Sequence, residues 1–285
     1  MFVSQGMQGR VLIVAGSDSG GGAGIQADIK TVTCLGGFAA TAITALTAQN
    51  TVGVHGVHVI PGSFIQDQIR VVMDDLGADS IKIGMLATVE TIEAVAHAVS
   101  PYVGSVPIVL DPVMIAKGGC ALMEPEALAA LTSLLVPVAS MVTPNLPEAE
   151  ALTGRTVCSP DDMTCVVQDL HDLGVQSCVL KGGHLPGDTL VDIFSDGQCL
   201  QRFTGLRLKT RHTHGTGCTL ASAIAVGLAF GLSPLDAVMR ARAYVRRALE
   251  FAPGLGQGHG PLGHGHTVCL DGSEKIHDAI SGESI

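Results

Sequence analysis

The chain has 285 residues, of which 47% are hydrophobic, and this is enough apolar material for one large or two smaller globular domains. Only 15% of the residues are charged and the formal net charge is −10, with no segment dense in lysine or arginine, so nucleic acids and anionic membranes are disfavoured as partners. Residues 1–10 do not resemble a secretory signal, and the apolar run 220–232 is shorter than the roughly 20 residues of a membrane helix. We therefore expect a cytosolic protein without a membrane span, and we expect its cysteines, none of them in a C-x-x-C pair, to be reduced thiols.

Short β-type runs alternate with helical patterns along the chain, which predicts an α/β fold with a mostly parallel sheet and helices on both faces. Strands are predicted at 11–15, 39–44, 54–60, 80–83, 108–110, 141–143 and 178–180, and a β-hairpin at 190–204 that turns at Asp196-Gly197. Helices are predicted at 25–35, 63–76 with Ser63 as N-cap, 89–99, 125–136, after Pro144-Asn145-Leu146-Pro147, and at 216–230 and 234–251. No linker or repeat precedes the glycine-histidine tail at 254–266, so residues 1–285 are interpreted as a single domain with a core at about 11–266.

The first predicted strand leads into a glycine-rich loop, residues 16–24, where the backbone could approach a ligand closely. Gly22-x-Gly24-x-x-Ala27 matches a relaxed dinucleotide fingerprint, but the next strand is followed by Gln49 and not by the acidic residue that such a site uses. A dinucleotide site is therefore the weaker interpretation of this loop, beside that of a flexible turn.

Four polar residues follow the ends of later strands or begin the next helix: Asp111, Asn145, Glu148 and Lys181. In open α/β sheets, ligands bind at the carboxyl ends of the strands. The P-loop pattern and the protein-kinase motifs are absent. The four side chains could still supply oxygens for Mg²⁺ and a cation for phosphate. Taken singly, Glu148 is also a favourable first-turn acid, Asn145 a helix cap and Lys181 a solvated strand-end residue.

The turn His214-Gly215-Thr216-Gly217-Cys218 opens a long apolar helix. The first N–H groups of a helix have no intrahelical partner, so the turn predicts an anion site that suits a phosphoryl group. The same helix terminus stabilises a thiolate, and we expect the pKa of Cys218 to be lowered so that it can act as a base or nucleophile. A packed core thiol is the alternative for Cys218 alone.

Several motifs together resemble the hydroxymethylpyrimidine/phosphomethylpyrimidine kinases of thiamine biosynthesis, which belong to the ribokinase superfamily. The resemblance runs in order from about residue 11 to residue 264. Its motifs are Gly16-Ser17-Asp18 with 21–28, then 43–50, Lys82-Ile83-Gly84-Met85-Leu86, Leu110-Asp111-Pro112-Val113-Met114, 143–149, Lys181-Gly182-Gly183-His184, 214–219 and 258–264.

The resemblance implies a ribokinase-like three-layer α/β/α fold and two successive ATP-dependent phosphorylations. The first gives the monophosphate of 4-amino-5-hydroxymethyl-2-methylpyrimidine and the second gives the diphosphate. On the substrate side it implies that Gln49 binds the aminopyrimidine edge, since a side-chain amide offers both a donor and an acceptor. Gly16, Asp28, Thr47, Met85 and Val113 correspond to family positions around the pyrimidine.

On the phosphate side the resemblance implies that Asn145, Lys181, Gly183 and Thr216 bind the nucleotide, and that Asp111 and Glu148 serve Mg²⁺. Cys218 stands where most ribokinase relatives have an aspartate base, with Gly215, Thr216 and Gly217 as its catalytic turn. A homodimer is the assembly that the family suggests.

Two alternatives stay open. A pyridoxal kinase shares the scaffold and the cysteine-containing turn; there a further cysteine is expected just after the D-P-V-M motif, where this chain has Ala116, although Cys120 lies nearby. A metal-binding protein without enzymatic activity is suggested by His259, His264 and His266, whose spacing matches no recognised site.

Overall fold

A computed structural model of the protein describes residues 9–116 and 118–268. The predictions that involve Lys117, Cys269 and the outermost residues of the chain lie outside this range. The strands are β1 (Arg10–Asp18), β2 (Phe38–Gln49), β3 (Val54–Val59), β4 (Ser80–Ile83), β5 (Ile108–Leu110), β6 (Met141–Val142), β7 (Cys178–Lys181), β8 (Thr189–Ser195) and β9 (Leu200–Leu206). The helices are α1 (Gly24–Cys34), α2 (Gly62–Asp75), α3 (Val89–Val99), α4 (Ala127–Ala130), α5 (Leu146–Thr153), α6 (Pro160–Asp172), α7 (Thr216–Ala229) and α8 (Pro234–Glu250).

The strands form one sheet in the order β3-β2-β1-β4-β5-β6-β7-β8-β9. The pairings from β2 through β1 and β4 to β7 are parallel, whereas β3, β8 and β9 pair antiparallel at the two edges. The predicted α/β class with a mostly parallel sheet is confirmed.

Two apolar layers cover the sheet, because alternate side chains of a strand point to opposite faces. Leu12 and Val14 of β1 belong to the core beneath α2 to α6, whereas Val11 and Ile13 belong to the core beneath α1, α7 and α8. Helix α7 is apolar on nearly all sides, since it is buried between the sheet and both α1 and α8. Its N-terminus is thereby fixed at the edge of the sheet.

Strands β1 and β2 are longer than the sequence predicted. The carboxyl half of β2 pairs with β3 from Ala45 to Gln49, and β1 continues to Asp18, which pairs with Thr47. Residues that were predicted to lie in loops therefore belong to paired strands, and the glycine-rich loop begins with extended backbone.

Three local predictions were wrong or incomplete. Pro61 and not Ser63 is the N-cap of α2. The predicted helix at 125–136 is a single α-turn followed by a π-helical turn at Leu131–Leu135 and a 3-10 turn at Val136–Val138. Helix α6 was missed, although Ser159 and Asp162 form a capping box at its start.

The residues at 254–263, interpreted as a tail, form a strap over the carboxyl edge of the sheet. The His259 N–H donates to the Thr51 carbonyl at 2.8 Å, and the Gly260 carbonyl accepts from the His214 N–H at 3.1 Å. A Cβ on Gly258 would lie 2.0 Å from the Thr51 oxygen, so this close approach requires glycine. The strap thus joins the loop after β2 to the turn before α7.

Candidate active site

The polar residues at the carboxyl ends of the parallel strands meet at one edge of the sheet, as predicted. The chain reverses direction across the sheet beside β1, because β2 lies on one side of β1 and β4 to β7 lie on the other. Such a switch point leaves a crevice outside the strand ends, where ligands bind in open α/β sheets.

A cluster of charges lies at the ends of β5 and β7. Lys181 Nζ is 3.0 Å from Asp111 Oδ1 and 3.8 Å from Glu148 Oε2, and the Thr143 hydroxyl donates to Asp111 Oδ1 at 3.0 Å. A Cβ on Gly217 would lie 3.4 Å from Lys181 Nζ, so the first turn of α7 borders this cluster directly. Three of the predicted phosphate and metal residues therefore lie together beside the predicted anion turn.

Asn145 and Glu148 form a reciprocal capping box at the start of α5. Asn145 Oδ1 accepts from the Glu148 N–H at 2.9 Å, and Glu148 Oε2 accepts from the Asn145 N–H at 2.7 Å. Burial, together with the neighbouring Asp111, raises the pKa of Glu148 to about 7 despite the nearby Lys181. The Asn145 side chain thus has the capping role that the sequence offered as the simpler interpretation, and burial favours the neutral form of Glu148.

The turn before α7 packs tightly on the glycine-rich loop. Gly215 is the N-cap of α7 with a φ of +83°, and a Cβ there would lie 1.9 Å from the Gly22 carbonyl oxygen. No side chain caps the helix, because Gly215 has none, and the first-turn N–H groups face the crevice end of α7. No side chain of the cap therefore occupies the position in front of the helix terminus.

Cys218 lies in this first turn, but the prediction that its pKa is lowered was wrong. Burial raises the pKa of the Cys218 thiol to about 12, and Asp28 and Asp111 add to the rise, although Lys82 and the Gly24 N–H oppose it. Desolvation of a thiolate at this position outweighs the helix terminus and one nearby cation. The thiol is therefore protonated at neutral pH in the protein alone.

Asp28, which the resemblance placed among the residues around the pyrimidine, lies beneath the crevice. It is fully buried, with Lys82 Nζ 2.8 Å from Oδ2 and the Ser222 hydroxyl donating to Oδ1 at 2.7 Å. Burial alone would lower the pKa of Lys82, but the charges of Asp28 and Asp111 raise it above its ordinary value. Lys82 belonged to a quoted motif but was given no role; a lysine between two isoleucines in a short predicted strand is the signal that could have identified it.

The other residues predicted to contact the pyrimidine lie on the β1, β2 and β4 side of the crevice. Met85 packs with Ala45 and the partly buried Val113, and a Cβ on Gly16 would lie 3.0 Å from Met85 Sδ. The Thr47 hydroxyl lies 3.1 Å from Gln49 Oε1 at the end of β2. An apolar floor thus adjoins one side-chain amide.

Asp18 and His214 connect this side to the anion turn, and the sequence analysis gave neither a role. His214 Nε2 is 2.8 Å from Asp18 Oδ2 and 3.3 Å from the Gln49 amide. Burial would raise the pKa of Asp18, but the bonds from His214, Ala23 and Gly20 lower it below its ordinary value. An acid at the end of the first strand is the signal that could have identified Asp18.

The remaining candidates lie at the periphery. Gly183 is exposed just after β7, where its carbonyl accepts from Arg207, and the Thr216 hydroxyl donates to the Thr213 carbonyl. The side chains of His259, His264 and His266 contact separate partners, and within residues 9–116 and 118–268 no group of three metal-binding side chains occurs. The structure therefore gives no support to the alternative of a metal-binding protein.

None of the helices in the described part of the chain is long and apolar enough to cross a membrane.

The fold and this edge cluster define a kinase of the ribokinase-like α/β class. Of the solved structures that it resembles, a phosphomethylpyrimidine kinase from Clostridium difficile is 39% identical with a TM-score of 0.75, and covers 84% of this chain and 98% of its own. A Bacillus subtilis pyridoxal kinase, solved as an ADP complex, is 36% identical with a TM-score of 0.83, and covers 90% of this chain and 97% of its own.

The family model described as phosphomethylpyrimidine kinase matches residues 18–263, and the chain belongs to that family. A hydroxymethylpyrimidine/phosphomethylpyrimidine kinase of Bacillus subtilis is 47% identical over 90% of this chain and 94% of its own length. A bifunctional thiamine biosynthesis protein of Geobacter sulfurreducens is 49% identical. The match covers 90% of this chain but only 52%, about half, of that longer protein.

Proposed function

We propose that this protein uses ATP to phosphorylate 4-amino-5-hydroxymethyl-2-methylpyrimidine and then its monophosphate, in thiamine biosynthesis. The observation that carries the proposal is the position of the 214–218 turn between two different sites. His214 at its start contacts Gln49, whereas Gly217 near its end borders Lys181 and Asp111. A substrate alcohol bound on the Gln49 side would therefore lie next to a phosphate held on the Lys181 side.

On the substrate side, the apolar surface of Met85 and Val113 suits a flat ring, and Gln49 can both donate to and accept from an aminopyrimidine edge. Gly16 leaves Met85 undisturbed, because a Cβ there would press on Met85 Sδ at 3.0 Å. Thr47 supports Gln49. Asp28 acts from below through its ion pair with Lys82 and not by direct contact.

On the phosphate side, the transferring group would bind the first-turn N–H groups of α7, from Gly215 to Cys218, with Lys181 as the cation. Gly183 and Thr216 lie at the same edge and complete the nucleotide site. Phosphoryl transfer depends mainly on positioning and on stabilisation of charge, and this arrangement supplies both.

The carboxylates of Asp111 and Glu148 suit a Mg²⁺ ion that would also bind the phosphates of ATP. Two carboxylates face one lysine there, and burial, more than the neighbouring Asp111, raises the pKa of Glu148. Mg²⁺ usually binds one or two carboxylates together with phosphates and water. When bound, it would neutralise phosphate oxygens and would lower the cost of an ionised Glu148.

Cys218 is the candidate base, but burial raises its pKa to about 12 and so keeps the thiol protonated in the protein without ligands. We therefore assign more of the rate to the helix terminus than to the thiolate. Cys218→Ala should lower kcat much more than it raises the KM for the pyrimidine. A near wild-type kcat from pH 6 to 9 in this variant would exclude the base role.

The test is a comparison of initial rates with the hydroxymethylpyrimidine, its monophosphate and pyridoxal at saturating ATP and Mg²⁺. We expect kcat/KM to favour the pyrimidines, and we expect Gln49→Ala chiefly to raise the pyrimidine KM. Gln201→Ala, on the exposed face of β9, is the matched control and should leave KM unchanged. A tenfold or greater preference for pyridoxal would overturn the assignment.

Pyridoxal phosphorylation is a second candidate, as an additional activity on the same scaffold. The observation that favours it is the similarity to pyridoxal kinases, one of which, from Staphylococcus aureus, was solved with pyridoxal. Cys120 is exposed in the turn between Ile115 and Ala121, close to the cavity that Gln49, Ala116 and His214 line. The same rate comparison measures this activity.

A homodimer in the cytoplasm completes the proposal. Apolar Leu46 of β2 and Phe64 of α2 are exposed near the edge strand β3, and exposed apolar side chains of this kind suit a surface that a second subunit covers. The need for ATP and the free cysteines of the described chain are consistent with the cytoplasm. Light scattering coupled to size exclusion tests the dimer, and cell fractionation tests the location.

A further inference from the structure

The side-chain amide of Gln49 has a polar partner at each end, and these partners decide which way it faces. At one end His214 Nε2 lies 3.3 Å from the amide Nε2, and at the other Thr47 Oγ1 lies 3.1 Å from Oε1. The oxygen and nitrogen of an amide exchange places by a half-turn, so the correct orientation is the one that satisfies both partners.

The His214 partner must be a donor. Asp18 Oδ2 accepts from the Gly22 and Ala23 N–H groups at 3.0 and 2.8 Å, and Oδ1 accepts from Gly20 at 2.8 Å. An ionised carboxylate can only accept, so His214 Nε2, 2.8 Å away, carries the hydrogen. Because this nitrogen carries its hydrogen towards Asp18, it has no lone pair to accept from an amide N–H, and Gln49 must turn Oε1 and not Nε2 towards the electropositive ring edge.

The Thr47 partner requires the same orientation. Its hydroxyl has one hydrogen, which it donates to the Ser17 carbonyl at 2.9 Å, because that carbonyl can only accept. Thr47 Oγ1 can then only accept from Gln49, which requires Nε2 at that end. The opposite orientation would set two donors against each other at His214 and two acceptors at Thr47.

The histidine ring itself has little freedom. A Cβ on Gly22 would lie 2.4 Å from His214 Cδ2, so the loop packs against the edge of the ring. The backbone N–H of His214 donates to the Gly260 carbonyl of the strap, which fixes the main chain at this residue. His214 is only 8% exposed and Asp18 only 3% exposed. The donor that orients Gln49 is thus held rigidly from the opposite side of the crevice.

We infer that His214, held by Asp18, together with Thr47 locks the Gln49 amide in one orientation and so makes the site select a 4-aminopyrimidine over a 4-oxopyrimidine. This inference rests on the proposed function. The locked amide has one lone pair of Oε1 and one hydrogen of Nε2 left for a ligand. These match an amino group beside an unprotonated ring nitrogen, whereas a 4-oxo ring with a protonated nitrogen presents the reverse order.

The test measures kcat/KM for the 4-amino substrate and for its 4-oxo analogue, 5-hydroxymethyl-2-methylpyrimidin-4-one, and takes their ratio. His214→Phe removes the donor, so the amide can turn, and we expect the ratio to fall at least tenfold. His214→Gln returns an N–H group near the same point and should keep the ratio within threefold of wild type. Thr47→Val removes the partner at the other end and should also lower the ratio at least tenfold.

His171→Phe is the matched control, since His171 bonds Val175 and Ser195 away from the crevice and should leave the ratio unchanged. Thermal melting identifies any variant that is unfolded. If His214→Phe does not fold, the substrate ratio of Thr47→Val tests the inference. If a variant loses kcat/KM equally for both substrates, so that the ratio is unchanged, the substituted residue has a merely structural role and the inference is overturned. If the wild type phosphorylates neither pyrimidine, the proposed function itself has failed.

Discussion

Lys82→Met should be the most informative single change beneath the active site, because it breaks a fully buried ion pair. Lys82 and Asp28 have no exposed side-chain surface, and their charged atoms lie 2.8 Å apart. Removal of one partner leaves the other charge buried, at a cost of about 3–5 kcal/mol. This is a large part of the roughly 5–15 kcal/mol by which a domain is typically stable.

The double variant Lys82→Met/Asp28→Asn separates loss of the pair from loss of packing. The asparagine introduced at position 28 can still accept from Ser222, which donates to Asp28 Oδ1 at 2.7 Å in the wild type, and no uncompensated charge remains. We therefore expect the double variant to regain much of the lost stability, with a coupling energy of about 2–3 kcal/mol. Lys209→Met removes an exposed lysine and should change stability by no more than about 0.5 kcal/mol.

Urea unfolding at pH 7.5, followed by far-UV circular dichroism, measures these differences as shifts of the midpoint. The chain has no tryptophan, so circular dichroism is preferable to intrinsic fluorescence. The reasoning would be refuted if Lys82→Met lowered the free energy of unfolding by less than about 1 kcal/mol, or if the double variant were less stable than the single one. Either result would show that neither buried charge needs the other for its stability.

Three further outcomes follow from the site. Because the pKa of Glu148 is raised to about 7, its protonated form favours folding, and this contribution is complete at about pH 4 and lost as the pH rises through 7. Glu148→Gln should therefore match wild-type stability at pH 4 and exceed it at pH 8, as thermal melting without ATP or metal would show; a variant that is less stable at pH 8 contradicts the shift. Because burial raises the pKa of Cys218 to about 12, iodoacetamide at pH 8 should modify Cys218 at least tenfold more slowly than the exposed Cys165 and Cys199, and equal rates in peptide mass spectrometry would contradict this. A methyl group at Gly258 would meet the Thr51 carbonyl at 2.0 Å, so Gly258→Ala should cost about 1–3 kcal/mol, whereas Gly265→Ala meets nothing within 4 Å and should be neutral in the same melting experiment.

The sequence determined the class of fold and the edge of the sheet where the site lies. Asp111 follows one buried strand and Lys181 ends another, and parallel strands bring their carboxyl ends to one edge, so the sequence alone groups these two residues. The glycines of the 214–218 turn likewise indicated the anion site, since their local geometry depends on neighbouring residues alone. The ordered motifs added the family, which the comparisons confirmed.

Tertiary structure alone decided the electrostatics of that site and the partners of its side chains. The helix terminus at Cys218 is visible in the sequence, but the burial that reverses the expected pKa shift comes from distant segments packing around it. Asp28 was predicted to be one of the residues around the pyrimidine, and only packing shows that it is fully buried and bound to Lys82. Asp18 and His214 are 196 residues apart in the chain, and their contact, which orients Gln49, depends on two loops meeting across the crevice. Desolvation and hydrogen bonding act over a few ångströms, and such distances between remote segments are set by the folded structure and not by local sequence.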